Sequence, residues 1–215
     1  MKKLKLLIAS LVLASNAYAV DCDKAASEIN SLYQQGKYKE IKEKRLDGNF
    51  AWSCSDDYDT MILIGNMYFH KLKNNVAAGS YFEKAMKKHP DYSLAYLDLA
   101  AVKIKFEEYD EAVALCETVL AKKLDDEQTY LFNAQAGMAL FKKGAQIDDD
   151  VQERDKVLRK SEAYLKKAIA IKPNYPTGNY YLASIYQFVD KDITKAKKHY
   201  IIACDNGMQA ACKAK

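Results

Sequence analysis

The sequence predicts an all-α chain, an α-solenoid of stacked helical hairpins, on three observations. Only 8 of 215 residues are Gly and only 3 are Pro. An all-β chain would need a breaker about every 8–12 residues. Forty-nine per cent of the residues are hydrophobic, enough to build a core, where disordered chains show the opposite balance. Third, two series of residues recur at one period. Phe82-x-x-Ala85 is followed five residues later by Pro90, and Leu165-x-x-Ala168 five later by Pro173; Cys116-x-x-Val119 and Tyr200-x-x-Ala203 share that frame, at intervals of 34, 49 and 35 residues. The small residues Gly65, Ala100, Ala134 and Ala183 follow at 35, 34 and 49. This is the signature of a helical hairpin of about 34 residues, stacked side by side. The small residue on the first helix lets the second approach. The larger apolar residue and the Ala three positions on share one face of the second helix. Pro ends that helix.

The elements follow in chain order. Residues 1–19 read as a secretory signal peptide. Lys2, Lys3 and Lys5 supply the positive start, Leu6 to Leu13 an apolar run too short to span a bilayer, and Ala17-Tyr18-Ala19 a cleavage site. The mature chain is expected to begin at Val20, as a periplasmic or secreted protein. Those lysines carry three of the +4 formal charges. The remaining charge of about +1 is no footprint for nucleic acid or an anionic membrane. No later stretch approaches a membrane-spanning length, so no stable membrane insertion is expected. Residues 20–215 read as a single repeat domain. A degenerate first repeat (20–58) has Gly36-Lys37-Tyr38 as its turn. Repeats 59–92 and 93–126 follow, then 127–175 with an insertion, then 176–215 as last repeat and cap. The 49-residue interval places about 15 extra residues near Lys143 to Lys156. Asp148-Asp149-Asp150 precedes a helical run from Val151 to Ile171. N-capping and favourable charge at a helix start explain these acids better than a cation loop, which wants spaced oxygens and a Gly turn.

Ile64-Gly65-Asn66-x-Tyr68, Tyr81-Phe82-Glu83-Lys84-Ala85 with Pro90, Tyr109-x-x-Ala112, and Lys167-Ala168 with Pro173 carry a family pattern. On these residues the chain, from Thr60 to about Ala203, resembles the tetratricopeptide repeat (TPR) family. The third hairpin departs from it, with Cys116 and Val119 where an aromatic and Ala are usual, and no Pro after Leu124. The resemblance implies a right-handed superhelix of about five TPR-like hairpins whose first helices line a concave, partner-binding face. It places there Asn66, Phe69 and His70; Ala101, Ile104 and Lys105; Gln135, Met138 and Ala139; and Ser184, Gln187 and Phe188. Ile62, Leu97, Leu131 and Tyr180 join them one turn earlier. Such a groove is apolar with amides at its floor. It lacks the repeated Lys and Asn that some relatives use to clamp a C-terminal carboxylate, and suits an amphipathic helix or apolar peptide. The competing reading packs the same residues between repeats or against the chain's own terminal helix.

All five cysteines follow residue 19. An oxidising compartment permits disulfides, and five leaves one over. Cys204 and Cys212 flank the turn signal Asp205-Asn206-Gly207. One ends a helix and the other starts the next, which allows the short Cα separation of a disulfide. The segment also resembles the interhelical bridge of cysteine-rich helical-repeat proteins of the bacterial envelope. Closing this loop is worth about 2.5 kcal/mol in the chain-entropy model. Cys22 and Cys54 bracket the first hairpin and are expected to form a second bridge. Cys116 lies on an inner helix face, as a buried small hydrophobe rather than a reactive thiol.

His70, His89 and His199 are the only imidazoles. No H-x-x-x-H, Cys/His cluster, C-x-x-C, G-x-S-x-G, Walker loop or dinucleotide fingerprint is present. No catalytic residue, metal or cofactor is therefore expected. The expected function is a protein- or peptide-binding adaptor or assembly factor for a bacterial envelope complex. The alternatives are a β-lactamase-like envelope enzyme, which no serine-lysine motif or zinc set supports, and a secreted effector binding a host protein.

Overall fold

The computed structural model describes residues 22–45 and 57–214. The expected signal peptide, and Cys54 of the expected Cys22–Cys54 bridge, lie outside the described residues. The described residues contain helices and turns and no strand, and divide into two compact units meeting in sequence at Asp91 and Tyr92.

In the first unit, α1 (Cys22–Gln34) and α2 (Tyr38–Arg45) form one hairpin. The second begins with α3 (Tyr58–Asn66), which runs on through a π-helical stretch, Met67–Lys71, and returns as α4 (Asn75–Lys88). Asp57 starts α3 by accepting from the Thr60 N–H at 2.8 Å, and Asn74 starts α4 by accepting from the Ala77 N–H at 3.0 Å; each satisfies an N–H that the helix cannot. The helices meet where sequence periodicity places a small residue against a large one. A methyl group on Gly65 would stand 2.4 Å from a ring carbon of Phe82, which is fully buried.

The second unit stacks α5 (Leu94–Lys105) on α6 (Tyr109–Leu120), α7 (Asp126–Ala145) on α8 (Val151–Ile171), and α9 (Pro176–Phe188) on α10 (Ile193–Asp205), and ends with α11 (Gln209–Cys212). Asp125, Asp150 and Asp192 cap α7, α8 and α10 through side-chain bonds to the N–H groups of Gln128, Glu153 and Lys195. Asp150 thus has the capping role its sequence position suggests. The extra residues of the fourth hairpin do not make a loop. They lengthen both helices, to 20 and 21 residues, around a five-residue link.

That lengthening corrects one contact. The small-residue series pairs Ala134 with Leu165; instead Gly137 faces Leu165, where a methyl group would lie 2.7 Å away, and Ala134 packs with Ala168 and Tyr130. One helical turn separates the two pairs. Two turns further, Gly144 faces Leu158 at 2.8 Å on the same measure. The Ser161 hydroxyl donates to the Gly137 carbonyl at 2.7 Å, and Lys172 donates to the Tyr130 hydroxyl at 2.9 Å, completing the antiparallel register.

Five hairpin turns share one device. Gly36, Lys73, Glu107, Lys191 and Gly207 have φ between +54° and +95°. In each the next residue donates its N–H back into the preceding helix: Lys37 to Leu32, Asn74 to Tyr68, Glu108 to Lys103, Asp192 to Tyr186 and Met208 to Ala203, at 2.9–3.0 Å. Three of these are the six-to-one bond that stops helices, and the Asn74 and Asp192 bonds span one residue more. Left-handed geometry costs a residue with a Cβ about 1 kcal/mol or more.

The terminal core gathers Leu165, Leu182, Ile185, Tyr200, Ala203 and Ala211. The expected Cys204–Cys212 disulfide closes over it, with Cα atoms 4.8 Å apart.

Candidate protein-binding site

In the first unit, α1 and α3 flank a cleft of about 470 Å³. Asn30 comes from α1. Asp59, Thr60, Ile62 and Asn66 come from α3, where spacing of three and four brings Asp59, Ile62 and Asn66 to one face. Two of the expected groove residues, Ile62 and Asn66, thus share one lining. Thr60 is 1% exposed, and its hydroxyl has no hydrogen-bond partner among the described residues. A buried hydroxyl without a partner is costly. Phe69 and His70 lie in the π-helical stretch, their rings edge-to-face at 4.8 Å. A π turn rotates later side chains away from α-helical spacing, which the spacing used to choose these two residues does not include. Burial first, then Lys73 and Lys71, holds the His70 imidazole below its ordinary range.

In the second unit the expected groove residues separate. Ile104 is 6% exposed, as Ile62 is, and belongs to the buried core of its own unit. Leu131 packs against Tyr130, Ala134 and Ala168. Tyr180 packs on the terminal core, its ring 5.4 Å from Tyr181 and 5.8 Å from Tyr200. Leu97, Gln135 and Met138 are half-buried, and the Gln135 amide nitrogen is buried with no partner among the described residues. Lys105 and Phe188 are exposed.

The titratable groups are engaged structurally. Burial, and then Glu117, pushes the Cys116 thiol up to about 12, so it carries no thiolate at neutral pH. The Asn179 amide nitrogen donates to the carbonyls of Pro173 and Tyr175, which orients its oxygen towards His199 Nδ1 at 2.7 Å. His199 Nδ1 therefore carries a proton and donates it. Burial alone would raise the Glu162 carboxyl. Bonds from Lys166 at 2.7 Å and Arg159 at 2.8 Å outweigh that and hold it below its usual range. Arg159 also pairs with Asp190. Among the described residues no three His, Cys, Asp or Glu side chains are placed to hold a metal ion, and no described helix is long and apolar enough to cross a membrane.

Residues 70–137 match the profile of the family described as tetratricopeptide repeat. No curated protein matches the chain by sequence. Several solved structures share its fold. PilW, titled a widely conserved type IV pilus biogenesis factor, is 17% identical with a TM-score of 0.68, over 86% of this chain and 77% of that one. PilF of Pseudomonas aeruginosa is 14% identical with a TM-score of 0.68, over 87% and 77%. MamA of Desulfovibrio magneticus RS-1, from residue 41 to its end, is 20% identical with a TM-score of 0.59, over 87% and 96%.

Proposed function

We propose, from the premise that this chain carries tetratricopeptide repeats and folds as a solenoid of them, that it is a non-enzymatic interaction protein. It serves as an adaptor or assembly factor for a bacterial envelope complex, periplasmic or secreted after loss of residues 1–19, and binds a helix or apolar peptide along its first helices. The observation that carries the reading is the cleft between α1 and α3, where apolar Ile62 sits beside Asn30 and Asn66. Apolar contact for a partner's side chains next to amides for its backbone is the chemistry of a peptide-binding groove. PilW, titled a pilus biogenesis factor, shares the fold and supports an assembly role.

The test is photo-crosslinking from position 30 or 66 in envelope extract, with the captured partner then titrated against variants. Asn30→Ala and Asn66→Ala are expected to weaken binding about tenfold or more while the melting temperature stays unchanged. Equal affinity in both variants, or retention of residues 1–19 in secreted material by intact mass, would remove the groove or the compartment from the reading.

A further inference from the structure

Between the end of α7, the first turns of α8 and the end of α9 lies a second cleft, of about 310 Å³. Its floor is apolar, with Phe141 from α7, Leu158 from α8 and Ile185 from α9. Phe188 stands at its edge with 64% of its surface exposed. A phenyl ring left in water beside a concave apolar floor is the arrangement of an anchor pocket. The charged side chains lining the cleft are Arg154 and Lys191, both cations. Arg154 comes from the helical length added in the fourth hairpin.

The neighbouring carboxylates are committed elsewhere. Asp190 pairs with Arg159, and Asp192 caps α10 and pairs with Lys195 at 3.2 Å. Arg154 meets Asp155, next to it in the chain, at 3.5 Å through Nε. Lys191 makes no ion pair among the described residues. The cleft therefore presents an apolar floor and a rim of two cations, of which Lys191 has no ion-pair partner and Arg154 keeps its terminal guanidinium nitrogens free of any carboxylate among the described residues.

We propose that this cleft binds a short segment of a partner protein in which a large apolar side chain is flanked by carboxylates. The apolar side chain covers Phe141, Leu158 and the exposed face of Phe188. The flanking carboxylates pair with Arg154 and Lys191. In such sites the buried anchor carries most of the affinity, and the rim charges set selectivity and encounter rate.

The test titrates the purified full chain with fluorescent 12-residue peptides that carry a central Leu-Phe pair flanked by Glu, Ser or Lys. Glu-flanked peptides are expected to bind about tenfold or more tightly than Lys-flanked ones, with a preference that weakens in high salt. Phe188→Ser is expected to lose about tenfold in affinity at unchanged melting temperature. The double variant Arg154→Glu/Lys191→Glu is expected to reverse the preference towards Lys flanks. Asn66→Ala, in the first unit, is expected to leave Glu-peptide affinity unchanged, which separates this site from the α1–α3 cleft. Absence of binding, equal affinity for all three flanks, or unaltered affinity in Phe188→Ser would overturn the proposal. So would sedimentation showing self-association that Phe188→Ser abolishes, because the occupant would then be a second copy of the chain.

Discussion

At Gly65 one hydrogen atom sets the distance between two helices. Replacing it with a methyl group places a carbon 2.4 Å from the fully buried Phe82 ring. Alanine gains about 1 kcal/mol of helix propensity over glycine, but overpacking costs about 1–3 kcal/mol. Gly65→Ala is therefore expected to destabilise the chain by up to about 2 kcal/mol in denaturant unfolding. Adding Phe82→Leu should cost less in this background than in the natural chain, because the pair interacts; additive effects would mean that the contact is not the cause. A second prediction concerns His199. Burial, and then Lys166, lowers its pKa from the ordinary 6.5. Above 6.5 neither the folded nor the unfolded ring is protonated, so it adds no pH dependence. Below it the unfolded chain takes up a proton first, and stability falls as pH drops towards the folded value. The Asn179 bond survives protonation, since Nδ1 already donates. His70 shifts the same way, so the measurement belongs in a His70→Gln background. There, the loss of melting temperature from pH 7 to pH 5 should be smaller with His199→Gln added. An identical slope would place the acid sensitivity elsewhere.

At the scale of elements, local backbone chemistry decided what could be read in advance. The α8 cap at Asp150 and the turn at Gly36 were legible because a capping carboxylate and a glycine each have a local cause. The left-handed turns at Lys73, Glu107 and Lys191 carry no such signal, since neither side chain favours that geometry. The insertion could be located but not shaped. Its residues continue the helical pattern, so only packing reveals that both helices grow. Asp150→Ala is expected to destabilise by about 1 kcal/mol, whereas Asp148→Ala and Asp149→Ala should be silent. Added Ca²⁺ should leave the melting temperature unchanged, and a rise would restore the cation reading of the three acids. The terminal cap is the other exposed element. Four residues of α11 cannot hold a helix alone, yet Ala211 is fully buried in the terminal core. The Cys204–Cys212 disulfide is expected to contribute about 2–3 kcal/mol. On reduction, amide exchange should accelerate first between Met208 and Lys213. Uniform acceleration along the chain would show that the bridge stabilises more than its own cap.

At the scale of the molecule, periodicity distinguished helix from strand but not groove from core. Ile104, Leu131 and Tyr180 follow the same 3.6-residue spacing as residues that face solvent, because helix packing and partner binding both draw on one apolar stripe. Ile62 and Asn66 needed only their four-residue spacing to end on one surface, whereas the positive rim of Arg154 and Lys191 joins residues 37 apart, which no local pattern reveals. The second unit, from Tyr92 onward, has its own buried clusters. A fragment covering residues 92–215 is expected to melt cooperatively with high helix content, as repeat arrays with an intact cap do; a non-cooperative melt would make the first unit a requirement for its folding. The facing glycines of the fourth hairpin give the array an adjustable dimension. Gly137 and Gly144 are seven residues apart, and so are their partners Leu165 and Leu158. Seven residues are close to two full turns, so length can be removed or added in matched sevens, one on each arm, with every facing pair restored. Taking seven from each arm would bring α7 and α8 close to the 13 residues of α9 and α10. A change on one arm alone would strand its glycine opposite nothing. The hairpin thus behaves as a telescoping strut, whose reach from the array can vary by steps of about 10 Å without redesign of its seam.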